Sequence, residues 1–360
     1  MKDPWQNKFP RRIASRFELP SGAAREHPVR NSPFALRHSP FLLLFLAGCT
    51  PMSFLITPVP QARDLVEFEV SRESAWAGKK IALIDVDGVL RNARDPSLFG
   101  PPGDNPVSVF KEKLDQAAGD DDVRAVVVRI NSPGGGVTAS DLMYTELVRF
   151  RERTEKPVFA ALLDVAASGG YYIACAADKI YALPTTVTGS IGVVMVVPDF
   201  SGTMSKLGIR ANVIKSAELK DAGSPFREMT EKDRAVFQEI IDAMYQRFLR
   251  VVADARTEID ESRLKLLADG RVFLASQAKE HGLVDELGTL ADAIEAAKIA
   301  AGLEGKPIVV VEYACPLSHR PNIYAHTPQT PAQVNVVNLE LPAWLKGPSP
   351  RFLYLWAPGW

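Results

Sequence analysis

The stretch DVAASGGYYIACAAD, Asp164–Asp178, sets Ser168 between two alanines and two glycines, where an apolar strand-like run gives way to a small-residue helix-like one. A serine at such a junction has two readings. As an N-cap, its oxygen accepts a backbone N–H of the first helical turn. As a nucleophile, it stands at a helix start whose free N–H groups and dipole favour negative charge. The local residues leave both readings open.

Working outward, the same alternation repeats. KIALIDVDGVL (Lys80–Leu90), VRAVVVRI (Val123–Ile130), PVFAALLDV (Pro157–Val165), KIYALP (Lys179–Pro184) and IRANVI (Ile209–Ile214) are short apolar runs rich in β-branched residues. Such runs read as strands buried on both faces. Between them lie helical patterns at 107–118, 139–153 and 171–177, so the chain reads as βαβ units around a largely parallel sheet. A long amphipathic helix is expected over Glu231–Ala255, with an apolar stripe of Val236, Ile240, Ile241, Met244, Phe248 and Val251. Shorter helices near 264–267, 276–280 and 290–301 and a last strand at Ile308–Tyr313 complete the pattern.

Composition sets the outer limits. With 360 residues, 46% hydrophobic and 24% charged, the chain has the makings of a globular domain. Its 42 basic residues balance 43 acidic ones, so no basic field points to nucleic acid. Three cysteines without CxxC spacing, apart from the five histidines, indicate neither a disulfide framework nor a metal site.

A second glycine cluster lies in RINSPGGGV, Arg129–Val137, which ends a buried run before a helical one. It lacks the Gly-Lys-Ser/Thr of a phosphate loop and the GxGxxG of a dinucleotide site. Two readings remain: backbone N–H groups brought close to a carbonyl oxygen or oxyanion, or a tight turn.

Taken with ASGGYY, TGSIGV (Thr188–Val193) and LKDAGSPFREMT (Leu219–Thr230), this loop makes a set of four motifs whose identity and order resemble the signal peptide peptidase A family of bacterial membrane-associated serine peptidases. The resemblance runs from about Lys80 to Ala301 and includes DGRVF and GLVDELG. It implies a Clp-protease/crotonase-type α/β fold, a spiral of ββα units, which the strand and helix pattern alone does not separate from a doubly wound sheet.

The resemblance also implies the chemistry. Ser168 matches the nucleophile and Lys220 the general base of a Ser-Lys dyad; read without it, Lys220 is one more surface lysine. An alcohol needs a base to take its proton, and His27, His38, His319 and His326 lie outside the core pattern while His281 reads as a helix-end residue. A lysine accepts a proton only as the neutral amine, which calls for a dry site with no carboxylate aimed at it, so Asp221 is expected to turn elsewhere. Gly135 and Gly169 match the oxyanion-hole donors. Gly134 and Ser190 are assigned to the substrate groove; Ser190 either orients Lys220 or is a turn hydroxyl.

The function so implied is hydrolysis of released signal peptides or other apolar membrane-derived peptides through an acyl-enzyme, without metal or organic cofactor. A catalytically silent peptide-binding scaffold and a crotonase-type acyl-CoA enzyme are the alternatives of the same fold. The partners implied are peptide substrates and further copies of the chain in a homo-oligomeric ring, an octamer being one form, with the dyad within one chain or between protomers.

At the front, Arg30, Arg37 and His38 precede FLLLFLA (Phe41–Ala47), then Gly48 and Cys49. The pattern resembles a lipoprotein signal, with diacylglycerol on the Cys49 sulfur as the membrane-lipid contact and the catalytic domain outside the cytoplasm of a bacterial cell. A transmembrane anchor fits less well, because Phe41–Ile56 contains Pro51 and falls short of the ~20 apolar residues a span needs. The division expected is therefore a signal segment (1–48), a lipid-anchored linker (49–78), a peptidase domain (79–305) and a C-terminal strand with a Pro- and aromatic-rich tail (306–360). The tail's RFLYLWAPGW, Arg351–Trp360, is expected on a subunit contact or at a membrane interface.

Overall fold

Two-sided burial shapes the core of the protein. In the strands Lys79–Asp87 and Val123–Ser132, alternate residues serve opposite faces. Ala82, Ile84, Val126, Val128 and Ile130 pack in one apolar cluster, and Ile81, Leu83, Ala125 and Val127 in another. The computed structural model describes residues 65–94, 104–314 and 351–356.

In chain order the elements are β1 (Val66–Arg72), β2 (Lys79–Asp87), α1 (Pro106–Gly119), β3 (Val123–Ser132), β4 (Gly134–Gly136), α2 (Val137–Thr154), β5 (Val158–Ala167), α3 (Gly169–Ala174), β6 (Lys179–Ala182), β7 (Val187–Gly189), β8 (Val194–Val196), α4 (Ser201–Lys206), α5 (Glu231–Ala255), α6 (Glu261–Leu267), β9 (Val272–Leu274), α7 (Ala275–Glu280), β10 (Glu286–Leu287), α8 (Leu290–Ala300), β11 (Ile308–Ala314) and β12 (Arg351–Leu355). The main sheet runs β1-β11-β2-β3-β5-β6-β10, and β7 bridges β5 and β9. Its interior pairs are parallel, while β1 and β9 join antiparallel at the margins. Helices α1, α2, α3 and α5 contribute to one apolar cluster and α8 to the other. A second, small sheet has the order β4-β12-β8. This is the mixed α/β architecture of the Clp-protease/crotonase-like fold.

Local chemistry sets the helix starts. Asn105 caps α1 by accepting the Val107 N–H, with Pro106 at the first helical position. Thr230 and Asp233 form a reciprocal capping box at α5.

Several expectations need correction. The segment taken as a linker contains β1, whose VEFEVSR sequence alternates and pairs with β11 at the sheet margin. The stretch Ile209–Ile214, expected as a strand, is exposed throughout and pairs with no strand of the described residues. Its β-branched residues have no neighbouring strand to receive their N–H and C=O groups. β11 lies inside the main sheet between β1 and β2, so the domain does not close at residue 305. Of the aromatic tail, expected on a subunit contact or at a membrane interface, Arg351–Leu355 fold into their own chain as β12, with Leu353 and Tyr354 buried. Cys49 and the signal segment lie outside the described residues. Among those described, no helix is long and apolar enough to cross a membrane.

A set of charges is buried within the sheet. Arg129 Nη2 lies 2.6 Å from Asp85 Oδ1 and 3.6 Å from Glu312 Oε2, and Lys113 Nζ lies 3.7 Å from Asp85 Oδ2. Burial pushes the Asp85 carboxyl up, but the charges of Lys113 and Arg129 outweigh it and hold its pKa at about 2. Asp87 goes the other way, pushed up to about 7 by burial and then by Asp85, with Glu312 adding to the rise and Arg129 and Lys113 opposing it. A carboxyl whose folded pKa exceeds its unfolded value of ~3.9 stabilises most below that value and loses the contribution as pH rises through the folded pKa. Asp87→Asn cannot ionise, so it should gain on the wild type between pH 4 and pH 8, by about 2–4 kcal/mol at the upper end. Denaturant unfolding at the two pH values checks this, and an advantage that does not grow with pH would count against it.

Candidate active site

The change from β5 to α3 takes one residue. Ser168 stands between Ala167, the end of the strand, and Gly169, the start of the helix, with φ 52° and ψ −113°. Positive φ is costly for a non-glycine residue, on the order of 1–3 kcal/mol, and persists only where the surroundings impose it. Here the surroundings are explicit. The Ser168 N–H donates to the Gly189 carbonyl at 2.7 Å, and its carbonyl accepts the Tyr172 N–H at 2.8 Å. The Thr188 hydroxyl donates to the Ala166 carbonyl at 2.7 Å, fixing β7 against the end of β5. The Val165 N–H donates to Asn131 Oδ1 at 3.2 Å, tying the same strand to the glycine loop.

The N-cap reading of Ser168 therefore holds in position but not in function, because its hydroxyl makes no capping bond. The residue is buried, with 1% of its surface exposed.

The glycine loop faces this turn. Gly134 has φ +95°, and a Cβ there would stand 2.6 Å from the Gly169 nitrogen and collide with the Tyr354 carbonyl oxygen. A Cβ on Gly169 would meet the Ser140 hydroxyl, and one on Gly170 would come within 2.7 Å of the Ser132 carbonyl. The glycines are thus needed for close approach of two backbones. Along β4, the Leu90 N–H donates to Gly134 and the Gly136 N–H donates to Leu90. The N–H and C=O of Gly135, between them, point to the opposite edge, where β12 pairs. The predicted donor pair, Gly135 and Gly169, lies on the two backbones that meet here. Gly134 forms the contact between them.

Ser190 also has positive φ, 52°, and donates its N–H to the Arg271 carbonyl at 2.7 Å. It sits one residue beyond the strand that supports Ser168. No hydrogen bond joins it to Lys220.

Lys220 is not brought to Ser168 within this chain by any hydrogen bond. It lies in a short 3-10 turn, Glu218–Asp221, at the end of a segment, 205–220, whose every residue is exposed. The Asp221 carboxylate turns to Arg227 at 2.8 Å and Lys215 at 2.7 Å rather than to Lys220. These two hydrogen bonds, Arg227 first, hold its pKa well below the usual carboxylate range. His281 ends α7, packs edge-on against Phe273 and contacts Arg263, so it offers Ser168 no base. Cys175 is a free thiol that burial pushes up to about 11. Among the described residues, no group of three or more His, Cys, Asp or Glu side chains is arranged to hold a metal ion.

Asn131 and Ser140 escaped the sequence reading, and Thr188 entered it only as part of the TGSIGV motif, not for its hydroxyl. Each acts through one backbone contact, and only the position of Asn131 directly before the Ser-Pro-Gly turn hinted at it.

A parallel α/β core with a strained strand-to-helix turn set against a glycine loop belongs to the Clp-protease/crotonase fold class. The profile of peptidase family S49 matches residues 151–304. "Putative signal peptide peptidase SppA" of Enterococcus faecium is 37% identical over 230 residues, 64% of this chain and 66% of its own length. "Putative protease slr0021" of Synechocystis is 37% identical over 226 residues, 63% of this chain and 76% of that one. "Protease 4" of Haemophilus influenzae is 34% identical over 220 residues, 61% of this chain but 34% of its own. The chain belongs to peptidase family S49, the family of the SppA serine peptidases. It spans from about a third to about two-thirds of the length of the Haemophilus and Enterococcus relatives.

Gly169→Ala tests the backbone contact. If the Gly169 N–H is the oxyanion donor expected from the sequence, the added methyl should displace it and slow fluorophosphonate labelling of Ser168 by about 10²–10³-fold. Intact-mass kinetics measure it; labelling at the wild-type rate would remove Gly169 from the site.

Proposed function

We propose that this chain is a serine endopeptidase in which Ser168 is the nucleophile, Lys220 the general base, and the N–H groups of Gly135 and Gly169 the oxyanion hole. The observation that carries this is the strained Ser168 turn held against the glycine loop. Ser168 Oγ attacks the peptide carbonyl while its proton passes to the neutral Lys220 amine. Charge developing on the carbonyl oxygen is met by the two N–H groups. The proton then goes to the leaving amine, and water, activated by the same lysine, hydrolyses the acyl-enzyme.

The exposed position of Lys220 favours a site completed by a second copy of the chain. The segment that carries it displays Leu207, Ile209, Val213, Ile214 and Leu219 to solvent, and Phe226 and Val236 continue the apolar surface. Helix α5, about 37 Å long, buries Phe248, Leu249, Val251 and Val252 near its C-terminal end but only Asp233 in its first half. An apolar arm of this kind with the base at its end fits a homo-oligomeric ring, an octamer being one form, in which each arm brings Lys220 to a neighbour's Ser168. The contact would also supply the dry surroundings that a neutral amine needs.

Extended apolar peptides, signal peptides among them, are the substrates we infer, and the SppA name of the Enterococcus relative supports that class. We further assign the chain to the outer side of a bacterial membrane through lipid on Cys49.

Ser168→Ala and Lys220→Ala should each abolish peptide hydrolysis without unfolding the chain, since the pair acts as a unit. Co-assembled mixtures of the two inactive chains should regain part of the activity. Verified mixed oligomers with no recovery would place the whole dyad in one chain, and full activity of Lys220→Ala would dismiss the lysine. For the anchor, Cys49→Ser should leave the protein as an uncleaved precursor or release it from membranes. An unmodified mature Cys49 in the wild-type mass spectrum would contradict the assignment.

A further inference from the structure

Strand β5 changes neighbours partway along. Phe159–Leu162 pair with β6, and the last three residues, Val165–Ala167, pair with β7. The change falls on a bulge. On the other side of the strand, Ile130 of β3 stands opposite Leu162 but Ser132 stands opposite Ala166, so four residues of β5 cover what two of β3 cover. Asp164, in the middle of the excess, is exposed in a strand otherwise buried or half-buried.

The excess sets a register. Unbroken pairing would carry Ile130–Leu162 on to Ser132–Asp164, and the same count would put Ser168 level with Gly136, where α2 starts. With two residues taken up in the bulge, Ser168 is level with Gly134 instead, about 7 Å back along the strand. An even number of extra residues also leaves the alternation of faces unchanged. The contact between the two backbones agrees with this count, since a Cβ on Gly134 would stand 2.6 Å from the Gly169 nitrogen. The bulge thus brings the serine turn and the glycine loop to the same height.

Two side chains hold the bulge, one from each flank. The fully buried Thr186 hydroxyl is shared between the Leu163 carbonyl at 2.5 Å and the Leu162 carbonyl at 3.1 Å. Asn131 Oδ1 accepts the Val165 N–H at 3.2 Å. Where the ladder is interrupted, these side chains take the place of backbone partners. Both are fixed in turn. The Thr186 carbonyl accepts the Ala275 N–H at 2.9 Å, and the Asn131 carbonyl accepts the Gly88 N–H at 3.0 Å. Next to Asn131, the Ser132 hydroxyl donates to the Gly88 carbonyl at 2.6 Å and accepts the Gly134 N–H at 3.1 Å. Asn131 therefore stands at the root of the glycine loop while its side chain grips the strand that ends at Ser168.

We propose that Asn131 and Thr186 are positioning residues for the reaction at Ser168: by pinning the bulge in β5 they fix the spacing between the serine and the glycine loop. A displacement of about 1 Å at a reacting centre costs on the order of 10²-fold in rate. The effect on rate rests on the reading of Ser168 as nucleophile; the bulge and its two ties do not.

The experiment uses the assembled full-length protein. Thr186→Val keeps the shape and removes the hydroxyl, Thr186→Ser keeps the hydroxyl, and Asn131→Ala removes the other tie and serves should Thr186→Val fail to fold. Asp178→Ala is the control, because Asp178 Oδ2 accepts the Val158 N–H at 2.8 Å at the far end of the same strand. Thr186→Val and Asn131→Ala should each lower kcat on a peptide and the fluorophosphonate labelling rate of Ser168 by about 10–100-fold. KM should stay within about threefold of wild type, the pattern of an interaction that matters only in the transition state. Thr186→Ser should keep nearly the wild-type rate, and Asp178→Ala should lower the melting temperature but not the labelling rate. The double variant should fall no further than the slower single one, since both lose the same bulge. Wild-type rates in Thr186→Val and Asn131→Ala, or equal losses in Thr186→Ser or Asp178→Ala, would overturn the proposal.

Hydrogen exchange over residues 163–170, read by mass spectrometry, follows the bulge without any chemistry. Exchange should be faster in Thr186→Val and Asn131→Ala than in wild type and Thr186→Ser. Should it respond so while the wild type neither cleaves peptide nor labels at Ser168, the bulge and its ties stand and the serine-peptidase reading fails. Unchanged exchange in both variants overturns the ties themselves.

Discussion

Everything at this site depends on one turn, the single residue by which the chain passes from β5 into α3. Ser168 can keep φ at 52° only because its N–H is held by Gly189 and its carbonyl by the first turn of α3. Holding it there requires β7 to pair with the end of β5, and β7 is placed in turn by β9 and the Arg271 carbonyl. The glycine loop is fitted to the same turn from the other side, so closely that a methyl group on Gly134, Gly169 or Gly170 would meet backbone or a buried hydroxyl. The two glycine clusters of the sequence are therefore one structural feature, two backbones in contact.

Much of this was legible in the sequence, for a physical reason. Strands buried on both faces need continuous apolar runs, and β2, β3, β5 and β11 have them. The capping box at Thr230 and the stripe of α5 likewise mark the helix where it occurs. The failures share a cause as well. Whether a β-branched run becomes a strand depends on a neighbour elsewhere in the chain, which no local pattern contains. Among the described residues Ile209–Ile214 has no such neighbour, and it stays exposed. Val66–Arg72 has one, in β11, and its alternation went unread because its charged residues resembled a linker.

The site was legible in a different degree. Ser168, Gly135 and Gly169 stand out as chemistry-bearing residue types in unusual company, and the structure brings their backbones together. Lys220 has no such local mark, since the exposed arm around it looks like surface in sequence and in a single chain alike. The packing of Tyr354 is illegible for another reason: its neighbours Tyr172 and Phe248 come from α3 and α5, 76 positions apart, and only the fold makes them one surface.

The small sheet links these features. β8, Val194–Val196, receives β12 on its edge and then leads through α4 into the exposed segment that ends at Lys220. Whatever lies between β4 and β8 must satisfy the N–H and C=O groups of both, because an unpaired backbone group shielded from water is costly. β12 does so along both edges. Pairing along β8 also fixes the root from which the segment carrying Lys220 departs.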